Sequence, residues 1–333
     1  MPAPATPDPS ISRSVNDRYV ARDVPVAGGV MRVGEWRPSA LAPTATVGAS
    51  GSKPPVILAL HSMTGAHPAW SWLAAQFPDS RIVAPDLRGR GRSSGLPGPY
   101  GIAAHVRDVL AVLDALQLSD VTLVGHSLGA FVAVAALAER PSAFRHTVLV
   151  DGGLPLTVPL SMHSADLLEL VLGRPAVGVE FAFSSTAAHR RFWQLHPALA
   201  KDWSTRVGAY ADYLVEETLD DHGRIVFRPA ASPTAVTADA RELSGCVDVR
   251  ERLRAIGGAA VLVTAPRGLA NELPGIYSRA ERELSADDSC GMPHVEVAGV
   301  NHHTIVVTDR GAKALARVVR RGPVSARVDA QAS

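Results

Sequence analysis

A serine stands between two glycines at Gly125-His126-Ser127-Leu128-Gly129. The β-branched and apolar run Val121 to Val124 precedes it, and the stretch Leu128 to Ala138, apolar nearly all round, follows. The first predicts a buried strand and the second a helix packed against a sheet. At so tight a strand-to-helix turn the serine hydroxyl is held out above the sheet edge, provided its neighbours are small. Gly125 and Gly129 supply that condition by removing the Cβ atoms that would clash with the turn and the adjacent helix. Because the helix starts directly after Ser127, the backbone N–H of Leu128 faces any oxyanion that forms on a carbonyl attacked by the serine. Residues of these types at this spacing can perform nucleophilic attack on a carbonyl. That chemistry further requires a base, a group to orient the base and a second oxyanion donor.

Two other stretches follow apolar runs. Leu60-His61-Ser62-Met63-Thr64-Gly65 comes directly after Val56 to Leu60, and Pro85-Asp86-Leu87-Arg88-Gly89-Arg90-Gly91-Arg92-Ser93 closes the run Arg81 to Pro85. A phosphate cradle is disfavoured for the second, since no lysine of P-loop type follows its glycines. Taken with Gly-His-Ser-Leu-Gly, these stretches resemble the α/β-hydrolase superfamily from about Tyr19 to Arg320. His61-Ser62-Met63 is similar to the family's His-Gly-X element, with Ser62 in place of the usual glycine. Residues 85–93 are similar to its D-x-R-G-x-G-x-S loop, a marker of the fold. The resemblance implies Met63 as the oxyanion donor that joins Leu128, His61 as a structural histidine that ties its loop down, and Asp86 with Arg88 as a structural pair or cap.

Hydrolases that this chain resembles order their triad serine, acid, histidine. The resemblance therefore points to Gly299-Val300-Asn301-His302-His303-Thr304 for the base, with His302 preferred and His303 as the alternative. His105, His163, His189, His196 and His222 read as surface or insertion residues. The loop that most often carries the acid, Thr264 to Glu272, contains no aspartate. Two carboxylates remain: Asp151, which ends the run Val148-Leu149-Val150, and Glu272, which would need a longer loop to reach His302. Asp151 is preferred. Either would have to accept the Nδ1–H of His302, fix its tautomer and stabilise the imidazolium formed when it takes the serine proton.

The elements that must position these residues follow from periodicity. Val56 to Leu60, Arg81 to Pro85, Val121 to Val124, His146 to Val150, Ala260 to Thr264 and His294 to Val297 read as short buried strands. Between them, Ala69 to Phe77, Ile102 to Leu116, Leu128 to Ala138, Val249 to Ile256, Pro274 to Leu284 and Gly311 to Arg320 read as helices. In the second of these, Arg107, Asp108 and Asp114 are expected off the apolar stripe. Such alternation predicts an α/β fold with a mostly parallel, doubly wound sheet covered on both faces. The rhythm breaks from about 154 to 245, which is expected to be an inserted, mostly helical cap. The domain plan is then a tail over 1–16, core over 17–153, cap over 154–245, core again over 246–321 and a tail over 322–333. The Ala/Pro/Thr/Gly/Ser stretch from Ser39 to Pro54 reads as a long loop.

Composition excludes several classes. In 333 residues, Lys and Arg total 33 against 32 Asp and Glu, a formal charge of +1 that gives no general attraction to nucleic acid or anionic lipid. Cys246 and Cys290 are far apart in sequence, so neither zinc nor redox spacing is present, and no metal or cofactor is implied. No apolar run reaches the roughly 20 residues of a membrane span. The first residues lack the charged start and apolar stretch of a secretory signal, and a cytoplasmic protein acting on a small molecule is expected. Among reactions, hydrolysis of a carboxylic ester through an acyl-enzyme on Ser127 is the first expectation. Amide, lactone or activated carbon–carbon cleavage by the same triad is the alternative. A non-catalytic receptor on the same scaffold is the reading from another class.

Overall fold

Short apolar runs pair edge to edge into one eight-stranded sheet in a computed structural model that describes residues 15–39, 54–155, 182–244, 247–284 and 291–322. The strands are β1 (Tyr19–Val26), β2 (Gly29–Trp36), β3 (Ile57–Leu60), β4 (Ile82–Pro85), β5 (Val121–His126), β6 (Phe144–Val150), β9 (Ala260–Thr264) and β10 (His294–Glu296). Their order across the sheet is β1-β2-β4-β3-β5-β6-β9-β10. β2 runs antiparallel to both its neighbours, and β4 to β10 are mutually parallel. Every residue of β3, β4, β5 and β9 is buried, the pattern of a sheet covered on both faces.

The covering helices are α1 (Ser71–Ala75), α2 (Ile102–Ala115), α3 (Leu128–Glu139), α7 (Val247–Ile256), α8 (Arg279–Leu284) and α9 (Asp309–Arg321). α2 and α3 bury Val109, Leu113, Phe131 and Val132 on one face, and α1 and α9 bury Trp72, Leu73, Leu315 and Val319 on the other. Each buried Leu or Val side chain contributes about 1.5–3 kcal/mol relative to exposure. α3 can be apolar on every side because β3, β5, β6, α2 and α7 surround it. After β3 the chain moves to one side, to β4, and then returns to lay β5 on the other. The carboxyl ends of β3 and β5 therefore flank the point where strand order reverses, which is where open α/β sheets form their crevice.

Several expectations are corrected. The hairpin β1–β2 goes unpredicted, because its polar, partly exposed alternation suits a sheet edge rather than a buried strand. Asp108, expected off the apolar stripe of α2, is 2% exposed and pairs with Arg88 at 2.6 Å. His105, read as a surface residue, is fully buried, whereas His189 and His196 lie within the segment where they were expected, at 3% and 7% exposure. The helix expected from Pro274 begins at Arg279, since Gly275 lies so close to the Ala265 carbonyl that any Cβ would strike it. In the segment expected to be mostly helical, α4 (Thr186–Leu195), α5 (Thr205–Tyr213) and α6 (Pro233–Ser244) are joined by the antiparallel pair β7 (Val215–Leu219) and β8 (Ile225–Pro229). Residues 1–14 and 323–333 of the expected tails, His163, Cys246, Cys290 and residues 40–53 of the expected loop lie outside the described residues.

Candidate active site

Ser127 directly follows β5 and caps α3 with φ 54° and ψ −118°, a conformation that costs a non-glycine residue about 1–3 kcal/mol. The surroundings hold it there. Its N–H donates to Val150 O at 2.9 Å, and its carbonyl accepts from Ala130 N at 2.9 Å. A Cβ at Gly125 would strike the Gly129 carbonyl, one at Gly129 would strike the Leu60 carbonyl, and one at Gly152 would strike the Ser127 carbonyl. The third of these was not anticipated in the sequence, although Gly152-Gly153 directly after Asp151 carries the signal.

Asp151 leaves the end of β6 with φ 45° and is 1% exposed. One carboxylate oxygen accepts the His302 Nδ1–H at 2.7 Å and the other accepts Ala265 N at 3.1 Å. With Nδ1–H engaged, the Nε2 lone pair of His302 is free to accept a proton. Among the described residues no hydrogen bond joins that ring to Ser127 Oγ, a contact that often tightens only when substrate is bound. Glu272 is exposed, and its carboxylate accepts Ala270 N at 2.7 Å within its own loop.

The backbone of His302 is clamped on both sides. Its N–H donates to Arg267 O at 3.0 Å and its carbonyl accepts from His126 Nε2 at 2.9 Å. Asn301 braces the turn: its side-chain oxygen accepts His303 N and Thr304 N, and its amide donates to Ala198 O at 2.8 Å. His303, the alternative base, stands edge-on to Trp193 and His302. Burial first, then the neighbouring His302, pushes the imidazoles of His126 and His303 well below the usual histidine range, so both are neutral.

The two expected oxyanion donors follow the adjacent parallel strands β3 and β5. Leu128 is fully buried at the start of α3. Among the described residues neither its N–H nor that of Met63 has a hydrogen-bond acceptor. Buried N–H groups are rarely left so. His61 tethers this loop by donating from Nδ1 to Ser62 O at 2.7 Å and accepting Leu87 N at 2.8 Å on Nε2. Burial holds its pKa down to about 4, although Asp86 opposes the shift.

Of the expected pair or cap, the pairing of Asp86 with Arg88 is not formed, while Asp86 does cap backbone N–H groups. Arg88 turns to Asp108. Asp86 accepts the N–H and Nδ1–H of His67, Arg92 N and the Tyr213 hydroxyl. Burial alone would raise its pKa, but His67 outweighs it and holds the carboxyl at about 2. Beside the site lies a cleft of about 530 Å³ including its open mouth. Its lining includes Ser62, Thr64, Gly65, His126 and His303 together with Trp193, Leu199, Val207, Tyr210 and Leu214. Ser127 and His302 adjoin this cleft through His126 and His303, and among the described residues no carboxylate, lysine or arginine lines it.

Sheet order, helix placement and the strand-to-helix turn define the chain as one with the alpha/beta hydrolase fold, and the family model of that description matches residues 55–205. Among proteins of known name, it is similar to Lipase LipV of Mycobacterium tuberculosis, 38% identical over 105 residues, which are 32% of this chain and 40% of the relative. It is also similar to the putative carbamate hydrolase RutD of Klebsiella pneumoniae, 32% identical over 105 residues, which are 31% of this chain and 40% of the relative. These matches span about two fifths of the relatives' length. Among solved structures, E-2-(acetamidomethylene)succinate hydrolase superposes with a TM-score of 0.69 at 20% identity, covering 91% of this chain and 99% of its own. The thioesterase domain from the curacin biosynthetic pathway does so at 0.64 and 22%, with the same coverage.

Proposed function

We propose that the chain is a serine hydrolase that cleaves a carboxylic ester of a small to medium apolar substrate through an acyl-enzyme on Ser127. The observation that carries this reading is the 2.7 Å bond from His302 Nδ1 to the buried Asp151, beside a serine held at φ 54°. In the first step Ser127 Oγ attacks the ester carbonyl and His302 Nε2 takes its proton. The Asp151 carboxylate stabilises the imidazolium, and the N–H groups of Met63 and Leu128 receive the oxyanion. The imidazolium then protonates the departing alcohol. A water molecule, deprotonated by the same histidine, attacks the acyl-enzyme, and the acid leaves as Ser127 regains its proton.

The neighbouring cleft supports an uncharged, largely apolar acyl or alcohol group, because its walls are aliphatic and aromatic and its histidines are neutral. Residues 154–245 act in this reading as the cap that closes over the substrate. The names lipase and carbamate hydrolase among the relatives fit hydrolysis of an ester or of a related carbonyl compound.

Turnover of p-nitrophenyl esters from acetate to decanoate, compared between the wild type and Ser127→Ala, tests the proposal. Hydrolysis that disappears in the variant supports it, and the chain-length optimum outlines the cleft. A folded wild type that labels with a fluorophosphonate yet ignores these esters would direct the search to amides, lactones or activated ketones. Absence of both turnover and labelling would favour a non-catalytic receptor.

A further inference from the structure

Arg90 is fully buried. The backbone of its loop is already laddered to the strand-like stretch that leads into α6: Gly91 N donates to Ala230 O at 2.7 Å, Ser232 N donates to Gly89 O at 2.8 Å, and Arg90 bridges Ala231. The guanidinium adds one bond within that loop and two beyond it. Nε donates to Met63 O at 2.9 Å, Nη1 donates to Arg88 O at 2.9 Å, and Nη2 lies 2.5 Å from Asp239 Oδ2. Asp239, on α6, is fully buried and is held in turn by Gly101 N at 2.7 Å and His105 Nε2 at 3.0 Å, both at the start of α2. A buried ion pair costs so much desolvation that an apolar pair of similar volume would often be as stable. Stability alone therefore does not account for a charge placed here.

We infer that Arg90 is a positioning residue for the oxyanion hole, fixing Met63 by its carbonyl while α6, through Asp239, fixes Arg90. This rests on the reading of Met63 and Leu128 as the oxyanion donors. Leu128 is located by α3, but Met63 lies in a loop after β3 that turns on Ser62, where the family usually has glycine. An oxyanion donor is effective only within a few tenths of an ångström of its place. The Arg90 fork supplies that constraint, and it joins the loop to the helix at the carboxyl end of the inserted segment.

The full chain is compared with two variants, Arg90→Lys, which keeps the charge and loses the fork, and the charge-neutral Arg90→Met with Asp239→Asn. Each is assayed with p-nitrophenyl butyrate and with a trifluoromethyl ketone. On the ketone Ser127 Oγ bonds to the carbonyl carbon, the serine proton passes to His302, and the π electrons become a hemiketal oxyanion seated in the hole. The expected result, in variants that melt cooperatively, is a kcat lower by about 10- to 100-fold with KM within about twofold. The ketone's inhibition constant should rise by the same factor as kcat/KM falls. If Arg90→Lys does not fold, the double variant carries the test. A folded variant with wild-type kcat and ketone affinity, a loss confined to KM, or failure of both variants to fold would overturn the inference. A wild type that neither turns over the ester nor binds the ketone would remove the underlying reading, and this inference with it.

Discussion

Two carboxylates compete for His302 on sequence grounds, and they differ in what surrounds them. Asp151 is buried with both oxygens engaged, one on His302 and one on Ala265 N, whereas the Glu272 carboxylate accepts from Ala270 in its own exposed loop. In parallel ester assays Asp151→Asn should therefore lower kcat by about 10³- to 10⁴-fold, through loss of the correct tautomer. Glu272→Ala should stay within about twofold, and the reverse ranking would reassign the acid. A second prediction concerns His61, which burial holds at about pKa 4 against an ordinary 6.5. Between those values the unfolded chain binds the proton and the folded chain does not. The stability His61 contributes is thus complete above pH 6.5 and falls as pH drops toward 4, by up to about 1.4 kcal/mol per pH unit. Urea unfolding at pH 7, 6 and 5 should show this slope, and His61→Asn should make it shallower.

At the scale of elements, β5, α3, β3 and the end of β6 are packed so closely that glycine is the residue that fits at three contacts. Gly129→Ala would press a methyl group onto the Leu60 carbonyl of β3. The expected cost is about 1–3 kcal/mol or more, since overpacked backbone must shift, and calorimetry would read it as a lowered Tm. Gly152→Ala would push on the Ser127 carbonyl instead, so ester turnover should fall further than the Tm alone explains. Much of this layer was legible. The buried parallel strands and the apolar α3 announce themselves because a sheet covered on both faces writes continuous apolar runs. β1 and β2 were not, since an edge hairpin mixes Arg22, Asp23 and Pro25 with apolar residues. Asp108 and His105 were misjudged for another reason: periodicity registers a charged or titratable side chain as outward-facing, while their partners Arg88 and Asp239 are distant in sequence. Choosing between Asp151 and Glu272 was hard for the same reason, because Asp151 meets His302 across 151 positions.

On the scale of the whole molecule, the segment 182–244 is tied to the sheet-flanking loop 86–93 by hydrogen bonds from Tyr213 to Asp86 at 2.7 Å and from Gly91 N to Ala230 O. Tyr213→Phe deletes the first of these and leaves a buried carboxylate oxygen with one donor fewer, at a cost of about 1–3 kcal/mol. Hydrogen exchange should quicken along α5 in that variant while β5 and α3 keep wild-type protection. Unchanged exchange along α5 would show that the aromatic packing against His67 suffices. The separation of Asp151 from His302 also bears on how activity arises in a growing chain. A chain emerging from the ribosome acquires Ser127 and its turn long before residue 302, so for more than half of synthesis the serine exists without the histidine proposed as its base. Contacts so distant in sequence form late, because loop closure must precede them. During refolding, ester turnover should then return after helical ellipticity, and hydrolysis reports completion of the last parallel pairing rather than collapse of the first.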